Sequence, residues 1–260
     1  MSEILCIKNV SKSFSGLKAL SDINLSINGD EIFGIIGPNG AGKTTLFNVI
    51  TGFDKPSAGT ITLFGQDMTN KITTEYCLSG IARTFQNIRV FGEMSVLKNT
   101  MVGMHKNMRS NLSDILLCTR KNRIEEKAAV ENAMEILNFL GIAGDAGTIS
   151  SSLPYGKQRK VEIARALASS PKLILLDEPT AGMNPQETED LMELVAQIRK
   201  LGPAVIVIEH NIKFMMSLSN RVAVLNFGKL LAVDTPENIQ KNPEVIEAYL
   251  GKEGDSDDVA

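Results

Sequence analysis

The sequence predicts an α/β fold around a buried parallel sheet, and three observations carry that expectation. A strand-like run, Ile32–Ile36, leads into the glycine-rich loop Gly37-Pro38-Asn39-Gly40-Ala41-Gly42-Lys43-Thr44-Thr45, and a helical run follows at once. Leu173-Ile174-Leu175-Leu176 and Ala204-Val205-Ile206-Val207-Ile208 are continuous apolar runs, the pattern of parallel strands covered on both faces. Between them lies a helix with its start signals in order. Asn184 is the N-cap, Pro185 takes the first position, and Glu187 and Glu189 fall in the early turns. Its apolar stripe is Leu191, Leu194, Val195, Ile198 and Leu201.

The remaining elements follow the same logic. Ile4-Leu5-Cys6-Ile7 and Leu25-Ser26-Ile27 read as strands, broken by Gly16 and by Asn28-Gly29-Asp30. Gly52 ends the helix after the glycine loop, and residues 59–65 return to strand. Residues 96–140 lack strand signals and read as helical. Ala129, Ala133, Ile136, Leu137 and Leu140 keep helical spacing there, with Gly141 as the stop. The charged run Arg120-Lys121-Asn122-Arg123 reads as a solvated face or loop. Two apolar runs, 222–225 and 230–233, flank Asn226-Phe227-Gly228-Lys229 as a hairpin.

Bulk properties narrow the function classes. The chain has 260 residues, 43% hydrophobic and 22% charged, enough for a substantial core. A net charge of -3 gives no broad footprint for nucleic acid. No apolar run approaches the roughly 20 residues that span a bilayer, and the N-terminus lacks the pattern of a secretory signal. Cys6, Cys77 and Cys118 make no metal-ligand spacing and read as reduced thiols. His105 and His210 are the only histidines, which excludes a histidine-rich metal centre.

The loop at 37–45 fits the phosphate-binding pattern at every fixed position. Its glycines let successive backbone N–H groups turn toward phosphate oxygens at a helix N-terminus. Lys43 is placed to reach the β- and γ-phosphates, and the Thr44 hydroxyl to ligate Mg²⁺. Asp177 and Glu178 follow the buried strand at 173–176, so Asp177 is expected to hold the metal and Glu178 to polarise an attacking water. His210 stands after the next strand, where it can donate to the γ-phosphate or hold the water. Gln86 is a neutral amide that can contact both metal and water.

The order of the phosphate loop, Thr84-Phe85-Gln86, Leu153-Pro154-Tyr155-Gly156-Lys157-Gln158-Arg159, Leu175-Leu176-Asp177-Glu178-Pro179, Ala181-Gly182-Met183-Asn184-Pro185 and Glu209-His210 resembles the ATP-binding subunit of an ABC transporter. The resemblance covers about residues 3–250 and is greatest to branched-chain amino-acid uptake ATPases. It implies a P-loop NTPase core of ABC ATPase type with an antiparallel β subdomain. Residues 1–250 would be one ATPase domain, with core at 1–95 and 161–250, a helical subdomain at 96–160, and a flexible acidic tail at 251–260. ATP and Mg²⁺ would be the cofactors. Phe14 reads either as a core residue or, by the resemblance, as the ring that stacks on adenine. Leu153, Tyr155, Gly156 and Lys157 would cap the γ-phosphate of ATP bound to a second, related ATPase subunit in an ATP-dependent dimer. Pro154 and Lys157 depart from the family's usual serine and glutamine, so the serine hydroxyl is missing, and proline has no N–H.

The resemblance also implies membrane-spanning permease subunits as partners, a place on the cytoplasmic face of the membrane, and no contact with cargo. Relatives serve other cargoes, urea and lipopolysaccharide among them. A non-transport ATPase of the same fold would usually carry a coiled-coil insertion or a second cassette, and neither is present. A guanine-reading switch fails because Asn70-Lys71 is followed by Ile72-Thr73. The phosphate-loop reading predicts that Lys43→Ala abolishes ATP hydrolysis chiefly by weakening nucleotide binding. Wild-type affinity and turnover in that variant would contradict it.

Overall fold

The computed structural model describes residues 2–108, 110, 114, 117 and 119–250. Cys118 and the acidic tail at 251–260 lie outside the described residues.

A six-stranded sheet forms the centre of the fold. Its strands are β3 (Ile32–Ile36), β6 (Ile81–Arg83), β7 (Leu173–Asp177), β8 (Ala204–Ile208), β9 (Arg221–Asn226) and β10 (Lys229–Asp234), in the order β10-β9-β3-β8-β7-β6. All pairs are parallel except the β9–β10 hairpin. Every residue of β3, β7 and β8 is buried, which explains the unbroken apolar runs. Side chains alternate between two cores. Phe33, Ile35, Leu173, Leu175, Ile206 and Ile208 point one way. Ile32, Ile36, Ile174, Leu176, Val205 and Val207 point the other.

The first core is closed by α1 (Lys43–Ile50) and by a second sheet. That sheet contains β1 (Glu3–Phe14), β2 (Leu17–Asn28), β4 (Ala58–Leu63) and β5 (Gln66–Asp67), all antiparallel, in the order β2-β1-β4-β5. The strands β1 and β2 run for 12 residues each, longer than the short apolar runs suggest. Register shifts interrupt their pairing, and Asn9 and Asp22 take left-handed conformations. Such irregularities break the alternation that marks a strand in sequence.

The second core is closed by helices. After α2 (Thr73–Ser79), which buries Tyr76 in the first core, these are α3 (Val96–Val102), α4 (Arg120–Phe139), α5 (Tyr155–Ala168), α6 (Pro185–Lys200), α7 (Ile212–Leu218), α8 (Pro236–Lys241) and α9 (Pro243–Leu250). The stripe of α4 packs as its spacing predicts, with Ala129, Ala133 and Leu137 buried, while Arg120, Lys121 and Arg123 are exposed. Met104, Ala129, Ala133 and Ala168 make a separate small cluster among α3, α4 and α5. Asn184 caps α6 as expected, and Glu187 completes a capping box: Asn184 Oδ1 accepts from Glu187 N at 3.0 Å, and Glu187 Oε2 accepts from Asn184 N at 3.0 Å. Leu201 departs from its predicted place in the stripe. It is the residue after the helix end and is 62% exposed.

Leu175 is fully buried at the centre of the sheet. Leu175→Ala should therefore destabilise the chain by about 3 kcal/mol, read from urea unfolding. A loss below about 1 kcal/mol would mean that the site collapses around the truncation.

Candidate functional site

Parallel pairing brings the predicted residues to one edge of the sheet. Ile35 pairs with Ile208, and Ile208 with Asp177, so β3, β8 and β7 end at nearly the same level. The glycine loop, Asp177-Glu178 and Glu209-His210 leave the sheet there. Ligands of open α/β sheets bind outside this carboxyl edge.

The loop wraps the N-terminus of α1. Gly42 is the helix N-cap in a left-handed conformation, with φ 100°. At Gly37 a Cβ would stand 2.2 Å from the Leu225 carbonyl oxygen, so only glycine fits. Lys43 is buried, and its Nζ donates to the carbonyls of Gly37 at 2.6 Å and Pro38 at 3.0 Å. A cleft of about 580 Å³ opens above. It is lined by residues 39–45, Gln86 and Glu178, with Leu17, Lys18, Ala19, Phe227 and Gly228 along its wall. Thr44 is exposed into it.

Asp177 is 3% exposed, and its Oδ2 accepts from Arg83 Nη2 at 2.9 Å. Arg83 also donates to Asn48 Oδ1 at 2.8 Å and Thr51 Oγ1 at 3.2 Å. Its guanidinium sits among the rings of Phe47, Phe53 and Phe85. Burial pushes the Asp177 carboxyl above its ordinary value, the Arg83 ion pair pulls it back, and Glu178 adds a smaller upward push. Glu178 adopts a left-handed conformation with φ 43°, which costs of order 1 kcal/mol in a non-glycine residue. Its Oε2 accepts from Gln86 Nε2 at 2.7 Å. His210 is 62% exposed, with Nδ1 at 3.8 Å from Glu178 and 3.9 Å from Glu209.

The chemistry of this donor set fits Mg²⁺. Thr44 and Gln86 line the cleft, and Asp177 ends β7 beside Glu178 with its Oδ2 held by Arg83, so the oxygen donors offered near the phosphate-binding loop are hydroxyl, amide and carboxylate. Among the described residues no cluster of three or more His, Cys, Asp or Glu forms a closed metal cage. Mg²⁺ takes few protein ligands and completes its shell with water and substrate phosphates.

The other predicted residues lie apart from this cleft. Phe14 is 43% exposed at the end of β1, with the Lys12 ammonium 4.7 Å from its ring centre, and it does not line the cleft. Leu153, Pro154, Tyr155, Gly156 and Lys157 gather at the N-terminus of α5. Pro154 is the N-cap, with no side-chain cap hydrogen bond. Lys157 pairs with Asp145 at 2.7 Å, which ties its charge to this chain.

Three supporting groups escaped sequence reasoning. The first is Arg83, which pairs with Asp177 from 94 residues away. Glu209 is fully buried and accepts from Thr180 N at 2.8 Å and Thr180 Oγ1 at 2.6 Å, pinning the turn after Glu178. Tyr249 of α9 buries its hydroxyl beside Gly37 without a well-aligned partner, and burial pushes its pKa up to about 12. Nothing local in sequence marks these groups, because each partner is distant along the chain.

A glycine-rich loop of phosphate-binding pattern at the carboxyl edge of a parallel sheet, with a helical layer packed beside it, defines a P-loop ATPase of the cassette class. The family profile described as "ABC transporter" matches residues 20–181, and one described as "Branched-chain amino acid ATP-binding cassette transporter" matches residues 229–255. The high-affinity branched-chain amino acid transport ATP-binding protein LivG of Escherichia coli (strain K12) is 42% identical over 250 residues, covering 96% of this chain and 98% of LivG. The ADP conformation of MJ1267, an ATP-binding cassette of an ABC transporter, superposes with a TM-score of 0.83 at 34% identity, covering 96% of this chain and 100% of that one. A dimeric post-hydrolysis state of the cassette MJ0796 bound to ADP and Pi gives 0.76 at 26% identity, covering 90% and 99%. This chain belongs to the ABC transporter family as an ATP-binding, ATP-hydrolysing subunit. Among its described residues, no helix is long and apolar enough to cross a membrane.

The Arg83–Asp177 pair generates a stability prediction. Without Arg83, burial of Asp177 is opposed only by the weaker pull of Arg159, and its folded pKa rises further. A folded pKa above the unfolded one favours the acid side, so the stability it carries is lost as pH rises through the folded value. Arg83→Gln should therefore cost about 3–5 kcal/mol at pH 7, and less as pH falls toward the ordinary carboxylate value of 3.8. Urea unfolding of both proteins at neutral and acid pH reads this, and a pH-independent difference would contradict it.

Proposed function

We propose that this chain hydrolyses ATP in a head-to-tail dimer with a second, related ATPase and powers import of branched-chain amino acids through permease subunits. The observation that carries the reading is the Gln86–Glu178 hydrogen bond of 2.7 Å at the mouth of the phosphate-loop cleft. It orients a carboxylate that lines the same cleft as Lys43 and Thr44, which supports the reading of Glu178 as the group that meets the attacking water.

In this reading the loop amides at 37–45 and Lys43 bind the phosphates, and Lys43 exchanges the Gly37 and Pro38 carbonyls for phosphate oxygens. Thr44, Asp177 and Gln86 would hold Mg²⁺, which would supply neutralisation of the phosphate charge. Glu178 takes the proton of the attacking water as the γ-phosphorus–oxygen bond to ADP breaks. His210 lies beside Glu178 and orients the water or the γ-phosphate. Its exposure suits a group that closes on substrate in the assembled dimer. Phe14 stacks on adenine from the hairpin that also supplies Leu17 to the cleft wall.

Leu153, Tyr155, Gly156 and Lys157 cap the nucleotide of the partner. Pro154 leaves that cap without a hydroxyl, and Asp145 holds Lys157, which favours a pair of unlike subunits. The segment after Gln86 and the helical part at about 96–160 pass the closing motion to the permease. The chain then sits on the cytoplasmic face of the membrane, makes no cargo contact and binds no nucleic acid. The match at residues 229–255 and the likeness to LivG support this cargo over urea or lipopolysaccharide.

Glu178→Gln tests the reading. The variant should bind ATP normally, while turnover falls by roughly 10²-fold or more. A MgATP-dependent dimer should accumulate on size exclusion with the partner subunit, and ATP-driven leucine uptake by the assembled transporter should stop. Unchanged hydrolysis would sink the assignment of Glu178 as base.

A further inference from the structure

The segment 84–95 belongs to no helix or strand, so its backbone polar groups need other partners. Two side chains one and two turns into α5 supply them. Arg159 is fully buried. Its Nη1 donates to Phe85 O at 2.5 Å and its Nη2 to Gln86 O at 2.8 Å. Glu162, 1% exposed, accepts from Phe85 N at 3.2 Å and Arg89 N at 3.4 Å through Oε1, and from Arg159 Nη1 at 2.8 Å through Oε2. Arg165, a turn further on, donates to the Arg89 carbonyl. Four backbone groups of 85–89 are thus satisfied by one buried ion pair.

A buried ion pair is a poor device for stability alone, because desolvation offsets most of its attraction. Burial pushes the Glu162 carboxyl up, and Arg159 with the two amides pulls it back. What such a pair fixes is geometry. The N-terminus of the same helix carries residues 153–157, and the far side of the loop carries the Gln86–Glu178 hydrogen bond.

We propose that Arg159 and Glu162 are positioning residues that clamp the Gln86 loop to the signature helix, so that capping of a partner's nucleotide sets Gln86 in this chain's own site. The inference deepens the proposed function and rests on its roles for Gln86 and residues 153–157. A displacement of α5 at its N-terminus carries the Phe85 and Gln86 peptide groups with it. The two ATP sites of a dimer are then coupled through about one turn of helix.

Glu162→Gln keeps the side-chain shape but loses the charge facing Arg159, and Arg159→Lys keeps the charge but loses the two-armed fork. Hydrogen–deuterium exchange of the full chain should show the amides at 85–89 losing at least about tenfold of their protection in either variant, with α1 unchanged. In the assembled transporter, turnover should fall by about 10- to 100-fold with ATP affinity within about twofold. The Hill coefficient for ATP should drop toward unity, which a purely structural residue would not move selectively. Unchanged protection or unchanged cooperativity in both variants would overturn the proposal. Should Glu162→Gln fail to fold, Arg159→Lys gives the same readouts. Gln86→Ala separates the two readings. If it leaves turnover intact, the role of Gln86 fails. If it lowers turnover while the clamp variants keep cooperativity, only the clamp fails.

Discussion

Burial of the parallel sheet on both faces constrains everything else in this molecule. The strands β3, β7 and β8 have no residue open to solvent, so polar groups can be offered only where strands end. The register then decides which ends meet. Because Asp177 pairs with Ile208 and Ile208 with Ile35, three separate stretches of chain deliver their first polar residues to one edge. The helix α1 adds its unpaired amides at the same place. The cleft follows from strand register before any side chain is considered.

Residues delivered to a common edge still need orientation, and buried ionic contacts supply it. Arg83 holds Asp177 from one neighbouring strand, and Glu209 holds Thr180 from another. Each replaces water around a group that would otherwise be stranded in a low-dielectric interior. The strained backbone of Glu178 sits between these two anchors, with Glu178 N also donating to Ile208 O at 2.9 Å. An unfavourable conformation persists only where its surroundings over-determine it.

The loop carrying Gln86 shows the same principle across layers. Its side chain belongs to the cleft, yet its backbone belongs to α5 through Arg159 and Glu162. Motion of the helical layer against the sheet therefore has a short route to Glu178. The aromatic surroundings of Arg83, with the Phe53 and Phe85 rings 5.7 Å apart edge to face, close the space behind that route.

The sequence by itself determined the phosphate loop, the buried strands and the capped helix α6. Each is a local pattern: glycines at fixed spacing, an unbroken apolar run, an N-cap with its glutamate three residues on. It also determined the family, because six short motifs occur in one order. The tertiary structure decided which residues support the site. Asp177 is legible at a strand end, but Arg83 lies 94 residues away, and only the parallel pairing of β6 with β7 brings it near. Lys157 is visible as a departure from pattern, while its engagement by Asp145 depends on how α5 meets the turn before it. The long strands β1 and β2 were only partly legible because bulges disturb their alternation. Leu201 matched the stripe of α6 yet stays in solvent, since the helix ends at Lys200 and its last buried stripe residue is Ile198. Local sequence fixes backbone conformation through short-range sterics and hydrogen bonding. Long-range ion pairs depend on register and packing between segments, and the spacing of residues along the chain does not encode them.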